Sequence, residues 1–415
     1  MSNLKNIYEQ FVNLGVFSRI LLVIVKPLAL WLSIQLDADE GLAIAQIYLI
    51  GLLFLSLSGT NAHRPFYQKY FSNKQQFYKF SIARSYIDYI QKMTLQLIFV
   101  ITVSTIIAAL VFWGSLSVVI MGIIFGISEK LNDEYQRFVQ FINNSKKLFY
   151  LSIIKLVPVL IASLLAYMDI IDLRYAFPVL LLAGSILLNW TTISSGIYFF
   201  TKIIGQSFFK MIKMTLNFIR QDILQIACIF MGISLISLDK WMLQYLSTDN
   251  LPIYMLYAQI AAIFVVTQTV VLIAPVRARL VNENPQEIKS IKFGSPIFSL
   301  IPLLIGIFIY IYTNNDNATK NLEFFAFFFA AIVTFSVAYG ERLYWATTAG
   351  IRLALDSFIV AMFLVSVTIL NFSVSSANLI VFSFTILFSL MCIRILLMIY
   401  LLNNTDDAPS KVMNK

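Results

Sequence analysis

Residues 16–36 read VFSRILLVIVKPLALWLSIQL. The run is apolar over 21 residues, and at about 1.5 Å per residue it spans a bilayer core of about 30 Å. It is longer than a signal-peptide core, and no small-x-small cleavage pattern precedes the acidic DADE at 37–40. It therefore reads as a first membrane span that stays attached. Two cations interrupt it. Arg19 lies near the cytoplasmic end, where it either snorkels to the inner headgroups or faces a cavity. Lys26 sits at the midpoint, followed by Pro27, and its ammonium cannot easily reach either surface. The two are seven residues apart and so share one helix face, a cationic stripe that points to a water-filled cavity.

The rest of the chain has the same character. Of 415 residues, 59% are hydrophobic and only 12% charged, with a mean hydropathy of +0.82. That composition excludes a soluble enzyme, a disordered tail protein and a disulfide scaffold. Eleven further apolar segments follow, at 41–62, 94–113, 115–140, 149–167, 175–200, 219–245, 251–276, 293–312, 322–347, 351–370 and 374–402. The reading is an all-α membrane protein of about 12 transmembrane helices. The short alternating segments of a β-barrel are absent.

Charge sorts the loops by side. With the N-terminus in the cytoplasm, 26 of the 30 Lys and Arg fall on that face, together with the C-terminus, while nine acids fall outside. The net charge of +9 is thus a topology signal and not a nucleic-acid footprint. The longest inner connection, residues 63–93, alternates aromatics with Arg64, Lys69, Lys74, Lys79, Arg84 and Lys92. It is either an amphipathic helix on the anionic leaflet or a solvated basic loop.

Six spans precede and six follow residues 201–218, which carry Lys202, Lys210 and Lys213. The expected organisation is a six-helix bundle over 1–200, a cytoplasmic linker over 201–218, and a second bundle with a short tail over 219–415. A shift of 213 positions lays Ala45-Gln46 on Ala258-Gln259 and Arg64 on Arg277, as a parallel repeat would. Such repeats build transporters with a binding site at their interface.

Chemistry-bearing groups are few. His63 is the one histidine, Cys228 and Cys392 sit in apolar runs, and no zinc, triad or phosphate-loop motif occurs. No metal site, no cofactor and no catalytic residue are expected, so the chain is not read as an enzyme and does not hydrolyse ATP. Within SEKLNDEYQR at 128–137, Glu129, Asp133 and Arg137 follow i, i+4, i+8, and Lys130 stands four residues before Glu134. These charges either neutralise one another along the helix or form a gate or coupling-ion site. Asp239 and Lys240, near the outer end of the seventh span, pose the same choice between a self-compensating pair and an outer gate. Asp356 and Arg394 lie within the last two spans.

The segments LDKWMLQYLSTDNLPIYMLYAQIA (238–261), LIAPVRARL (272–280), EYQRFVQFINNSKKLFYLSIIK (134–155) and LDADEGLAIAQIYL at 36–49 resemble the corresponding helices of Wzx-type polysaccharide flippases. Those belong to the multidrug/oligosaccharidyl-lipid/polysaccharide exporter superfamily. The family's GxxxxGxY between the first two helices is replaced here by EGLAIAQIY. The resemblance implies two six-helix bundles in a V-shaped alternating-access transporter. Its substrate would be an undecaprenyl-pyrophosphate-linked oligosaccharide, an O-antigen or other surface polysaccharide repeat unit. It would move from the cytoplasmic to the outer leaflet of the cell inner membrane, with a proton or sodium ion as candidate coupling ion and other polysaccharide assembly proteins as candidate partners. Carried over by position from the related lipid II flippases, the cationic cavity would comprise Arg19, Lys26, Arg64 and Arg277. A cation-coupled multidrug exporter of the same superfamily, and an integral-membrane glycan polymerase, are the competing readings. The first calls for acidic groups in the N-terminal bundle and the second for a large outer loop.

Overall fold

The computed structural model describes Ser18 and residues 21–58, 79–113, 115–141, 145–204, 208–268, 291–312, 318–346, 348–373 and 376–405. Among the described residues the chain is all-helical, without strands. The helices are α1 (Leu21–Leu36), α2 (Ala38–Leu57), α3 (Lys79–Val111), α4 (Leu116–Phe141), α5 (Ser145–Tyr167), α6 (Leu173–Leu188) and α7 (Trp190–Ile204). They continue as α8 (Phe208–Ile236), α9 (Leu238–Leu246), α10 (Leu251–Gln268), α11 (Ile291–Tyr312), α12 (Ala318–Ala346), α13 (Ala349–Ser373) and α14 (Ser376–Thr405).

Six of these contain segments long and apolar enough to cross a membrane: α2, α3, α5, α10, α13 and α14. The bent pair α8–α9 counts as a seventh. Apolar side chains such as Leu110, Leu164 and Phe372 stand exposed on them, as lipid-facing residues do. The protein is a multi-pass α-helical membrane protein. The shorter apolar helices α1, α6, Phe298–Tyr312 in α11 and Asn321–Val337 in α12 fall below that length.

Several elements differ from the sequence expectation, each for a local reason. The segment expected at 175–200 is broken at Asn189, whose side-chain amide donates to the Ser185 carbonyl at 3.0 Å and closes α6. The segment at 219–245 bends by 60° at Ser237. There the Ser237 hydroxyl donates to the Ile233 carbonyl at 2.9 Å, the kind of back-bonding that bends helices. Of the inner connection read over 63–93, residues 63–78 lie outside the described residues, and 79–93 do not form a separate helix. They continue α3, which runs 33 residues without a break. Residues 201–204 and 208–218 of the expected linker lie in α7 and α8.

The chain forms two compact units, Met1–Phe230 and Met231–Lys415. In the first, α2 packs on α4, with α3 and α6 also against it, α4 packs on α6, and α5 on α6. In the second, α10 packs on α12, α12 on α14, and α13 on α14. These contacts correspond between the units, while α11 packs closely on α12 where its counterpart α3 makes only a slight contact with α4; α2 and α10 begin 213 positions apart, the shift that aligned the sequences.

The α2–α4 contact fixes the site described below. A Cβ added to Gly51 would meet Phe125 Cδ1 at 2.5 Å, one on Gly122 would meet Ile50 Cβ at 2.6 Å, and one on Gly126 the Phe54 ring at 2.6 Å. Three glycines thus let the two helices approach closely, as small residues do at tight helix interfaces. Phe125 lies among Tyr48 and Phe177, with ring centroids at 5.0 and 5.9 Å.

Candidate functional site

Lys26 leaves α1 one residue before Pro27, and the helix runs through the proline unbroken. The Tyr48 hydroxyl of α2 donates to the Lys26 carbonyl at 2.9 Å and holds this part of the backbone. From there the ammonium passes over the Phe125 ring, 5.6 Å from its centroid, and ends 2.8 Å from Glu129 Oε2 on α4. The other carboxylate oxygen, Oε1, accepts from Lys155 Nζ of α5 at 2.7 Å. Two ammonium groups from two helices therefore share one carboxylate from a third. Side-chain exposure is 9% at Glu129 and 10% at Lys155, and rises to 24% at Lys26, the side from which the cluster is reached.

A carboxylate between two ammoniums leaves one positive charge in a low-dielectric setting, where an uncompensated charge is costly. The other buried charges of the described residues are balanced. On α4, Lys130 donates to Glu134 at 2.7 Å and to the Ser58 carbonyl at 3.1 Å, and the Tyr89 hydroxyl donates to Glu134 at 2.8 Å. Gln96 also donates to the Ser58 carbonyl. This neutral clamp ties the end of α2 to α3 and α4.

In the second unit, Asp239 is fully buried on α9, just past the bend. It is paired with Lys240 at 2.9 Å and accepts from the Tyr254 hydroxyl at 2.6 Å. Asp356 of α13 pairs with Arg394 of α14 at 2.7 Å, and Arg394 also donates to Ser336 of α12.

Every carboxylate that is more than nine-tenths buried among the described residues (Glu129, Glu134, Asp239, Asp356) thus has a cation within about 3 Å. The surplus cation belongs to the Lys26–Glu129–Lys155 cluster. The 213-residue shift places Lys26 on Asp239. The Tyr48 hydroxyl bonds to the backbone carbonyl of Lys26, whereas the Tyr254 hydroxyl, at a position that does not correspond to Tyr48, bonds to the Asp239 side chain. The first unit keeps a net positive site at that position, and the second keeps a neutral pair.

Of the residues expected to line a cationic cavity, Lys26 stands in the cluster, while Arg19, Arg64 and Arg277 lie outside the described residues. Glu129 is drawn to cations on α1 and α5 rather than along its own helix. Asp133 is half-buried one turn further along α4. Asp239 and Lys240 form an ion pair. Lys155, which the sequence reading did not single out, joins Lys26 on Glu129. Its signal in the sequence was the same as that of Lys26, a lysine inside an apolar run with a proline shortly after, here Pro158.

A comparison with models of known protein families finds no match to this chain, and a comparison with curated protein sequences finds no relative.

Proposed function

We propose that this protein is a flippase for an anionic, lipid-linked oligosaccharide. It would carry an undecaprenyl-pyrophosphate-linked surface-polysaccharide repeat unit from the cytoplasmic to the outer leaflet of a bacterial inner membrane. The observation that carries the reading is the buried Lys26–Glu129–Lys155 cluster with its one unbalanced positive charge. A pyrophosphate diester brings two negative charges that must cross a low-dielectric slab. Fixed ammonium groups in a wet cavity lower that cost and recognise the phosphate by charge-assisted hydrogen bonds. The helix contacts that correspond between the units, the 213-residue shift and the resemblance of segments 36–49, 134–155, 238–261 and 272–280 to Wzx-type flippases support the same architecture. That architecture is twelve helices in two bundles, alternating access between them, and both termini in the cytoplasm. No bond is made or broken, so the protein works as a carrier and not as an enzyme. An inside-negative potential drives two negative charges outward by about 4.6 kcal/mol per 100 mV, at about 2.3 per charge.

A drug exporter for organic cations would need a buried carboxylate available to the substrate. Among the described residues each such carboxylate already has its cation.

Complementation tests the proposal. In a strain deleted for this chain, wild type restores the surface glycan. Lys26→Ala and Arg277→Ala insert in the membrane at wild-type levels and leave the glycan absent. Full restoration by both variants would refute the cationic-cavity reading.

A further inference from the structure

We infer that Glu129 is a built-in competitor of the substrate. Its carboxylate holds the Lys26 ammonium that a phosphate of the cargo takes when it binds. The inference rests on the anion-carrier reading above and adds to it the means by which the carrier lets its cargo go.

Glu129 presents one oxygen to each lysine, Oε2 to Lys26 at 2.8 Å and Oε1 to Lys155 at 2.7 Å. A phosphate oxygen of the cargo would satisfy the Lys26 ammonium in place of Oε2. The lysines differ in their surroundings. Lys26 is the more open, lies over the Phe125 ring and is tied to the protein by a flexible four-carbon stem. Lys155 is almost closed off and faces Glu129 from α5. When an anion takes Lys26, Lys155 keeps Glu129 neutralised, so no bare carboxylate is left in the apolar interior. When the anion leaves, Glu129 recaptures Lys26. Each lysine therefore has a separate part: Lys26 exchanges partners and Lys155 holds the competitor. Asn132, three residues further along the same face of α4, is buried with neither amide atom hydrogen-bonded among the described residues. The helix thus carries a spare hydrogen-bonding group close to Glu129.

A substrate that met only cations would bind tightly and leave slowly. A carrier gains by a group that weakens binding and speeds release, since dissociation sets most affinity differences among variants of one site. This gives an uncommon signature, a substitution in the site that strengthens binding and slows transport together.

The test is anion binding by the purified full-length protein in detergent, measured calorimetrically with inorganic pyrophosphate and with geranyl pyrophosphate, alongside flipping in proteoliposomes. Glu129→Gln keeps the shape and removes the competing charge. It should bind both probes about tenfold to a hundredfold tighter than wild type, the range of one charged hydrogen bond, and flip more slowly. Lys155→Met leaves Glu129 wholly to Lys26 and should weaken binding by a similar factor with Lys26 intact. If Glu129→Gln does not fold, as judged by size-exclusion profile, Lys155→Met decides alone.

Unchanged or weaker binding by Glu129→Gln, or unchanged or tighter binding by Lys155→Met, overturns the inference. Should wild type bind while Lys26→Met does not, and the other two variants behave like wild type, the anion-carrier reading stands and the competitor falls. Absence of binding in wild type and in every variant removes both.

Discussion

The buried pair Asp356–Arg394 offers a quantitative test of the second unit. Asp356 is 5% exposed and Arg394 7%, with Nε to Oδ1 at 2.7 Å, and the guanidinium also donates to Ser336. A Cβ on Gly232 would come within 3.4 Å of Asp356 Oδ2, so α8 passes beside the carboxylate. Asp356→Leu removes the anion and leaves the cation in place. Breaking one side of such a pair costs about 3–5 kcal/mol in soluble proteins, and about 2.5–3.5 kcal/mol is the insertion cost of an arginine at a helix centre. About 3 kcal/mol is the expected loss. Asp356→Leu/Arg394→Met removes both charges and should recover most of it, because no unpaired charge is left behind and the lost attraction had been offset by the desolvation of both groups. The assay is unfolding in mixed micelles of dodecyl maltoside and increasing dodecyl sulfate, followed by fluorescence. A single variant within about 0.5 kcal/mol of wild type, or a double variant less stable than the single, would refute the reasoning.

Two further perturbations probe the remaining contacts. Gly51→Ala places a methyl group 2.5 Å from Phe125 Cδ1, so the ring must move. Overpacking of this kind costs about 1–3 kcal/mol, and displacing the ring under Lys26 should weaken pyrophosphate binding as well. Stability and binding both equal to wild type would contradict the close α2–α4 contact. Tyr254→Phe deletes the 2.6 Å donor to Asp239 and leaves Lys240 as its partner. The expected loss is about 1.5–3 kcal/mol in the same unfolding assay, and a loss below about 0.5 would show that the hydroxyl contributes nothing.

The helical class and the membrane setting were legible at once, because hydropathy over about 20 residues depends only on local composition. The helix starts at 38 and 251 keep the 213-residue spacing of the aligned segments, while later starts, such as 116 and 318, do not. Helix breaks were not legible. At Asn189 and Ser237 a single polar side chain turns back on its own helix, and nothing in an apolar window distinguishes that from a serine or asparagine facing a neighbour. In the site, Lys26 was legible because a lysine midway along an apolar run has nowhere else to go. Its partner was not. Glu129 sits in a run of charges whose spacing satisfies pairing along one helix, as Lys130 and Glu134 indeed do. Only the packing of α1, α4 and α5 shows that it turns to lysines 103 residues before and 26 residues after it. Asp356 and Arg394 were each visible as intramembrane charges, while their pairing across two helices needed the fold.

Transbilayer movement of a fluorescent undecaprenyl-pyrophosphate-linked oligosaccharide in proteoliposomes tests the central claim most directly. Lys26→Met is the decisive comparison, since Glu129 keeps Lys155 as its partner and the site becomes neutral without a stranded charge. Wild type should move the lipid well above the rate of protein-free vesicles, faster under an inside-negative potential for inside-to-outside movement, and Lys26→Met should fall to the protein-free rate. Wild-type movement no faster than in protein-free vesicles, or wild-type speed in Lys26→Met, would contradict the account.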